Sequence, residues 1–516
     1  MGGSKLLLDA NIFIPMEDPK VVPPGVATLA QKAHLYGISL YLDEACIDDI
    51  KHDQNLERRE ATLSKLTKFP VLNDVAHRSE ADRVKRFGAI NNDNDRCDVT
   101  MLDTLDLGVV DFLITEDIGV LRRAERAGLR ERVFTVQETL AWIQRTFEPK
   151  EFRLRYIIAR KAHQVSTEDP LFVGLREDYP GFDAWFAKCR NTHRDCWIVE
   201  IDRQLAGLVI WKDETHAEAL TKHPGPRILK VCTLKMKPGY YGEKFGEQLL
   251  KKILWFAQGN SYDLVYLTVF PRHEILISLL RTFGFEVTQE RSNGELVMER
   301  PMLIGVVPTL CCEEQALAFD LRSYPRFYDG PVVRKYIIPI KSDFHIVLFP
   351  EIGEASDLPL FPGQEFLVTS SHRGRDRTPG NTIRKVYICR SPTRTLDAGD
   401  VLLFYLSKSN DLKRSQSVTT VGIVEQARLA ENSGQLLRLV GRRSVYPREI
   451  LEAMDPTDAS PVLVIDFLLT GHFRPHVPLR KLLESGAFVG SPPQSIKRIE
   501  TGAYKAVMAS TEVGFE

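Results

Sequence analysis

Over the first 145 residues, short apolar runs alternate with helical patterns. "KLLLDANIFI" (5–14) reads as a strand and "PGVATLAQKAHLYG" (24–37) as a helix ended by Gly37. "ISLYLDEA" (38–45) is strand-like again, and "DVTMLDTLDLG" (98–108) reads as a helix opened by Asp98 and stopped by Gly108. "VDFLITED" (110–117) is a further strand, followed by the helix "GVLRRAERAG" (119–128). Alternation of this kind predicts a parallel sheet flanked by helices. Pro149 marks a boundary, which gives a first domain over 1–145.

Residues 150–300 form a second α/β unit. Its strands are "CWIVEID", "LAGLVIWKD", "RILKVCTLKMKP" and "DLVYLTVF"; its helices are "GEQLLKKILWFA" and "EILISLLRTFGF". Residues 301–335, broken by Pro308, Pro325 and Pro331, read as a connector. The third unit, 336–510, is rich in strands: "KYIIPI", "FHIVLF", "EFLVTSS", "IRKVYICR", "DVLLFYLS", "VTTVGIVEQ" and "PVLVIDFLL". Turn residues punctuate it throughout, and the pattern predicts a mainly β barrel. The fold class is therefore multi-domain: two α/β domains and a β barrel. No internal repeat is visible.

A length of 516 residues agrees with about three domains. No apolar run approaches the roughly 18 residues that a membrane helix requires. Asp9 and Asn11 interrupt the N-terminal apolar stretch, so no signal peptide is expected. "MGGSKL" lacks the Ser or Thr of a myristoylation signal. Eight cysteines lie scattered without a CxxC pair, which argues against a zinc ribbon or a disulfide framework and for a reducing cytoplasm.

The net charge of −1 hides an asymmetry: residues 1–145 carry 19 Lys+Arg against 24 Asp+Glu, whereas 331–510 carry 24 against 18. The basic surplus is concentrated in "SSHRGRDRTPGNTIRKVYICRSPTR", with Arg373, Arg375, Arg377, Arg384, Lys385, Arg390 and Arg394 against Asp376. Such a patch suits a phosphate backbone, or else is a solvated loop.

The acids of the first domain stand at strand ends and helix starts: Asp9 after the first strand, Asp49 in "EACIDDIKHD", Asp98, and Asp117. In a parallel α/β sheet ligands bind at the carboxyl ends of the strands. Carboxylates converging there repel one another unless a hard cation joins them, and Mg²⁺ or Mn²⁺ takes oxygen ligands. Such an ion activates water and stabilises a phosphoryl transition state. Helix capping would also place Asp at these positions. Residues 4–145, through "LLLDAN" and "FLITED", resemble the PIN domain, a family of metal-dependent ribonucleases. The resemblance implies Asp9, Asp98 and Asp117 as ligands and catalytic acids, with Asn11 and Thr115 holding them. Its second acid is usually Glu; here Asp49 matches best, with Glu44 and Asp48 as neighbouring candidates and Asp95 and Asp103 as sources of an extra acid.

"LKVCTLKMKPGYYGEKFGEQLLKKIL" is a strand, a loop with Gly239, Gly242 and Gly246, and a helix. Amides at a helix N-terminus can receive a pyrophosphate, but the spacing is not a dinucleotide fingerprint. Residues 155–300 resemble the GNAT acyltransferases, whose acetyl-CoA loop matches at Gly242 and Gly246 and whose ending matches "LRTFGFE". The resemblance implies acetyl-CoA bound by Gly239, Gly242, Lys244 and Gly246. Tyr241 and Lys244 depart from the family pattern, and Leu280 stands where a Tyr often acts as general acid. His273, Tyr266 and Glu274 are other acid/base candidates.

"AGDVLLFYLSK" followed by "VTTVGIVEQ" resembles the PUA-like group, in particular its ASCH and EVE branches, over 335–505. That implies binding of RNA or modified nucleotides. Arg373, Arg375, Arg377, Lys385 and Arg390 are the phosphate candidates. Tyr387, Phe404 and Tyr405 interleave with Lys385, Arg390 and Lys408 as stacking platforms, one of Phe404 and Tyr405 being core. His472 and His476, separated by Pro475, read as loop residues. Together the three units imply an RNA-directed ribonuclease joined to an acetyltransferase-like domain, as in bacterial toxin, stress or defence systems, with an antitoxin or regulatory protein as partner. The alternatives are an N-acetyltransferase of protein or tRNA with two targeting modules, and a non-catalytic scaffold.

Overall fold

Leu6, Leu7 and Leu8 are fully buried because β1 (Lys5–Leu8) is the middle strand of a five-stranded sheet with helices on both faces. β2 (Ser39–Asp43), β3 (Val71–Leu72), β4 (Phe112–Ile114) and β5 (Val133–Phe134) complete it in the order β3-β2-β1-β4-β5, every pair parallel. Leu6 and Leu8 pack with α1 (Ala10–Met16), α2 (Pro24–Leu35) and Trp142; Leu7 packs with Val99, Leu102 and Val120 on the other face. A strand covered on both faces reads as a continuous apolar run, as this one does. The strand expected over 5–14 ends at Leu8, because the Asp9 carbonyl accepts from Ile12 N and Phe13 N and opens α1.

Further helices are α3 (Glu44–Lys51), α4 (Glu80–Phe87), α5 (Asp93–Asp106), α6 (Ile118–Arg126) and α7 (Val136–Phe147). Asp98 does not open α5: Asn92 caps it, accepting from Asp95 N at 2.7 Å, and Asp98 lies in the second turn.

The computed structural model describes residues 4–16, 22–51, 59–60, 63–64, 68–148, 156–201, 204–219, 221–237, 244–302, 309–352, 377–379, 382–409, 415–443, 446, 448–488 and 490–515. They divide into two compact units: Met1–Glu151 with Leu429–Val462, and Phe152–Arg428 with Leu463–Glu516. The stretch Leu429–Val462 thus leaves the C-terminal sheet to join the first unit. There Arg438 Nη1 meets Asp111 Oδ1 at 3.1 Å and Arg443 Nη2 meets Glu131 Oε1 at 3.0 Å. Asp111 and Glu131 precede β4 and β5, so this segment sits at the end of the sheet opposite Asp9 and Asp117.

The second unit holds two sheets. One is built from β6 (Tyr156–Lys161), β7 (Asp195–Ile201), β8 (Gln204–Glu214), β9 (Ile228–Met236), β10 (Leu264–Val269), β11 (Glu286–Glu290) and β12 (Leu296–Pro301), with helices α8 (Val173–Asp178), α9 (Phe182–Asn191), α10 (Phe245–Gly259) and α11 (Glu274–Thr282). The expected connector carries α12 (Glu313–Ser323). β13 (Lys335–Ile340) follows; "FHIVLF" is not a strand but lies largely in helix α13 (Ser342–Leu348). β14 (Arg377–Pro379) pairs with β6 and extends the first of the two sheets. β15 (Arg384–Cys389), β16 (Val401–Leu406), β17 (Ser417–Ala430), β18 (Val462–Pro478) and β19 (Lys497–Ile499) join β13 in the order β15-β18-β17-β16-β13-β19, and β20 (Glu512–Gly514) adds to β18. This path has two ends, so the expected barrel is an open sheet.

Helix α10 joins the two sheets because it buries two faces. Leu249, Leu250, Ile253 and Leu254 are buried, and Leu249 reaches Gly207 of β8. Glu247, Lys251, Trp255 and Gly259, spaced by four, form the other stripe. Glu247 Oε1 accepts from Arg384 N at 2.7 Å, Lys251 pairs with Glu351, Trp255 Nε1 donates to Tyr324 OH at 2.7 Å, and Gly259 faces Phe515.

Candidate functional site

The first candidate lies where the strand order reverses. The chain runs outward from β1 to β2 and β3, then crosses back to β4 and β5, so the carboxyl ends of β1 and β4 face a crevice at the switch point. Asp9 follows β1; Thr115 and Asp117 follow β4. Thr115 Oγ1 donates to Asp9 Oδ2 at 2.6 Å and Asn11 Nδ2 donates to the same oxygen at 2.8 Å. Asn11 Oδ1 in turn accepts from Glu116 N at 3.2 Å, and Thr115 Oγ1 from Asp117 N at 2.9 Å. Asn11 and Thr115 therefore both fix the same oxygen of the Asp9 carboxylate.

Burial, with Asp117 adding to it, pushes the Asp9 carboxyl up to about 6 against these hydrogen bonds. Burial, then Asp117 and Asp9, pushes Asp98 up to about 7. The structure thus brings Asp9, Asp98 and Asp117 close enough to oppose one another's charge. Two of the three also do other work: Asp9 is engaged as above, and Asp117 Oδ1 caps α6 through Gly119 N at 2.5 Å and Val120 N at 3.2 Å. Among the described residues, no group of three or more His, Cys, Asp or Glu side chains is gathered as a ligand shell for one metal ion. The side chains of Asp48 and Asp49 lie outside the described residues, and Glu44 is the exposed first residue of α3.

The extra acids go elsewhere. Asp95 pairs with Arg123 at 2.7 Å and accepts from Asn91 N, and these bonds lower its carboxyl. Asp103 is buried against Arg78 and His77, so it is structural. Sequence reasoning passed over Asp43. It is buried at the end of β2, accepting from Thr104 Oγ1 at 2.7 Å and Ala45 N at 3.0 Å. The signal was present in "YLDEA", a carboxylate between a strand and a helix.

The second candidate is a splay in the second unit's first sheet. β9 and β10 are parallel partners from Ile228–Leu264 to Val231–Leu267 and no further. Beyond that point β9 follows β8 to Met236–Gly207, while β10 follows β12 to Val269–Leu296. The opening lies between Cys232–Met236 and Thr268–Val269, and α10 starts beyond the end of β9. Gly239 and Gly242 lie outside the described residues. Lys244 takes a left-handed φ of 57° at the start of α10. Gly246 is in the first turn, where an added methyl would meet only Leu279 Cδ2 at 4.0 Å.

Charged groups gather at the open end. Asp178 closes α8 and Tyr179 follows it. Asp178 Oδ1 accepts from Arg272 Nη2 at 2.5 Å; its Oδ2 lies 3.6 Å from His273 Nε2 and 3.7 Å from Lys235 Nζ. Burial lowers the His273 imidazole, Asp178 works the other way, and Lys235 and Arg272 reinforce burial. Buried Glu295 accepts from Tyr179 OH at 2.9 Å and Thr268 Oγ1 at 3.1 Å. Sequence reasoning missed Asp178, Tyr179, Lys235 and Glu295, which become neighbours only through the fold. Tyr266 is no acid here: it is fully buried, its hydroxyl donates to Glu214, and burial and Glu214 raise it. Leu280 is buried, and Glu274 opens α11.

The third candidate changes most. Lys385 is buried rather than presented to solvent, and burial lowers its ammonium to about 7. Tyr387, Phe404 and Tyr405 are all core, so they offer no exposed stacking faces. Arg373 and Arg375 lie outside the described residues, as does the side chain of Arg377; Arg390 and Arg394 are exposed. His472 and His476 are on β18 rather than in a loop, and His472 is buried with Nδ1 3.0 Å from Thr420 Oγ1.

Residues 160–285 match the model of the acetyltransferase (GNAT) family. No curated protein matches the chain. Similar solved structures include ASCH from Zymomonas mobilis, 12% identical over 35% of this chain and 98% of that one, with a TM-score of 0.24. Others are a GNAT family acetyltransferase from Elizabethkingia anophelis with acetyl-CoA bound (12%, 28% and 96%, TM-score 0.20) and a GNAT family acetyltransferase from Streptococcus pneumoniae (16%, 23% and 73%, TM-score 0.19). No helix among the described residues is long and apolar enough to cross a membrane.

Proposed function

We propose that the second unit binds an acyl-CoA at the β9/β10 splay and transfers the acyl group to an amine. The observation that carries this reading is the parting of the strands after Val231–Leu267, within the stretch 160–285 that matches the acetyltransferase model. Among the described residues no strand pairs with 232–236 of β9 on the side of the opening, where an extended amide chain such as the pantetheine arm can pair. The amides of the first turn of α10 suit the pyrophosphate, with Lys244 beside it and Gly246 leaving the approach clear. The thioester supplies the acyl group; Asp178, Lys235, Arg272 and His273 position the acceptor. Calorimetry with acetyl-CoA tests the reading. Binding should be weakened at least tenfold in Gly246→Trp, whose ring would occupy the first turn; no heat from the wild type overturns it.

A second reading concerns Asp9, Asp98 and Asp117, favoured by the mutual opposition of their charges at the switch point. The donor set fits a hydrated Mg²⁺ or Mn²⁺, which takes one or two carboxylates directly and keeps several waters. Asp98 and Asp117 would hold it, with Asp9, fixed by Asn11 and Thr115, as the third charge and Asp49 as the fourth acid. When bound, such an ion polarises a phosphodiester and its attacking water. RNA cleavage is then the activity, as in a PIN-like ribonuclease, and exposed Arg390 and Arg394, just after β15, remain as phosphate candidates. Single-stranded RNA should be degraded with Mn²⁺ by the wild type and not by Asp98→Asn; equal behaviour of the two removes this reading.

A further inference from the structure

The acyl-CoA reading leaves the proton of the acceptor amine without a destination. Resting on that reading, we propose that His273 is the general base of the transfer and that Asp178 positions its imidazole.

Four observations carry this. His273 lies four residues beyond the end of β10, on the side where β9 and β10 have parted. Its side chain is 37% exposed, so an acceptor reaches it from solvent. Its Nε2 lies 3.6 Å from Asp178 Oδ2, within reach of that charge, and proton transfer is assigned to Nδ1 on the other side of the ring. The alternatives are occupied: Glu295 by Tyr179, Thr268 and Asn293, Asp178 by Arg272 and Lys235, Tyr266 by Glu214. The groups facing the imidazole are Asp178 from α8, Lys235 from β9 and Arg272 from its own loop. Burial, Lys235 and Arg272 lower the imidazole and Asp178 works against them.

The chemistry closes without a further reactant. The amine nitrogen forms its bond to the thioester carbon while Nδ1 takes the amine proton. The carbon–sulfur bond then breaks, and the imidazolium returns that proton to the departing thiolate. Amine and thioester become amide and thiol. Leu280 stands where the family often has a tyrosine acid, so no tyrosine at that position competes for this return.

The test uses the full chain, acetyl-CoA, and a lysine-containing peptide as acceptor, with thiol release followed from pH 5 to 9. Wild-type release should fall on the acid side as one group protonates. His273→Gln should lower release by about 10²–10⁴-fold and abolish that limb, with acetyl-CoA affinity by calorimetry within threefold of wild type. Asp178→Asn should move the limb and lower the rate about tenfold, and Glu274→Gln should leave both unchanged. Retention of rate and limb by His273→Gln overturns the assignment, as does transfer of the loss to Glu274→Gln. Acetyl-CoA binding without any thiol release by the wild type overturns the base while sparing the cofactor site. Absence of binding refutes the cofactor reading instead.

Discussion

Lys251 of α10 and Glu351, eleven residues beyond the end of β13, form an ion pair inside the second unit, with side chains 7% and 3% exposed. Lys251 also lies 4.0 Å from the Trp255 ring centre, and Lys385 is buried nearby. Burial opposes the Glu351 carboxylate, yet Lys251 and Lys385 more than offset this and hold it low, at about 2. Breaking a buried pair leaves an uncompensated charge, which costs roughly 3–5 kcal/mol. Glu351→Gln strands two cations, whereas Lys251→Met leaves Glu351 with Lys385. Chemical denaturation should therefore show Glu351→Gln as the more destabilising, and the reverse order would mean that Lys385 does not share the carboxylate.

The acids of the first unit predict a pH dependence. Against an ordinary aspartate value of 3.8, Asp98 keeps its proton up to about pH 7 in the folded state and Asp9 keeps its own up to about 6. Between those limits the folded chain binds more protons than the unfolded one, so its stability falls as pH rises from 4 to 7. Calorimetric scans without metal should show the first unit melting lower at pH 8 than at pH 5. Asp98→Asn should flatten that slope and raise the pH 8 midpoint by a few degrees, on the scale of about 2–4 °C per kcal/mol. A slope unchanged in Asp98→Asn would place the effect elsewhere.

The same charges should respond to a cation. Binding of an ion to carboxylates releases their protons and stabilises the folded form by mass action. Mn²⁺ at pH 7.5 should raise the first unit's midpoint in the wild type and fail to do so in Asp98→Asn. Thr115→Val should weaken the response, since the Asp9 oxygen loses its 2.6 Å donor. If Mn²⁺ moves wild type and Asp98→Asn alike, the acids hold no ion.

Much of this was legible in the chain because it rests on local pattern. The run Leu6–Leu8 announces a strand buried on both faces, and Asp9, Asn11 and Thr115 stand at the strand ends the pattern assigns. What stayed hidden depends on partners distant in sequence. Lys385 and Phe404 read as an exposed basic and aromatic surface, because nothing nearby shows that Glu351, 34 residues earlier, supplies a counter-ion shared with Lys251. Asp178 and His273 are joined only when α8 meets the loop after β10. The helix over Ser342–Leu348 reads as a strand because "FHIVLF", six residues with one His, is too short to show a helical period.

The return of Leu429–Val462 to the first unit turns on one glycine. Gly441 has a φ of 46°, and a methyl group there would stand 2.9 Å from the carbonyl oxygen of Glu131. Gly441→Ala must therefore both hold a positive-φ backbone that side chains rarely adopt, roughly 1–3 kcal/mol, and relieve a clash with an atom held by the segment before β5. Arg443, two residues on, should lose its 3.0 Å contact with Glu131 as the segment lifts. Limited proteolysis of the full chain should then cut Gly441→Ala within 429–462 at least several-fold faster than wild type, while acetyl-CoA affinity in the second unit stays unchanged. Equal cleavage rates would show that Arg438 and the rest of the segment hold it without that close approach.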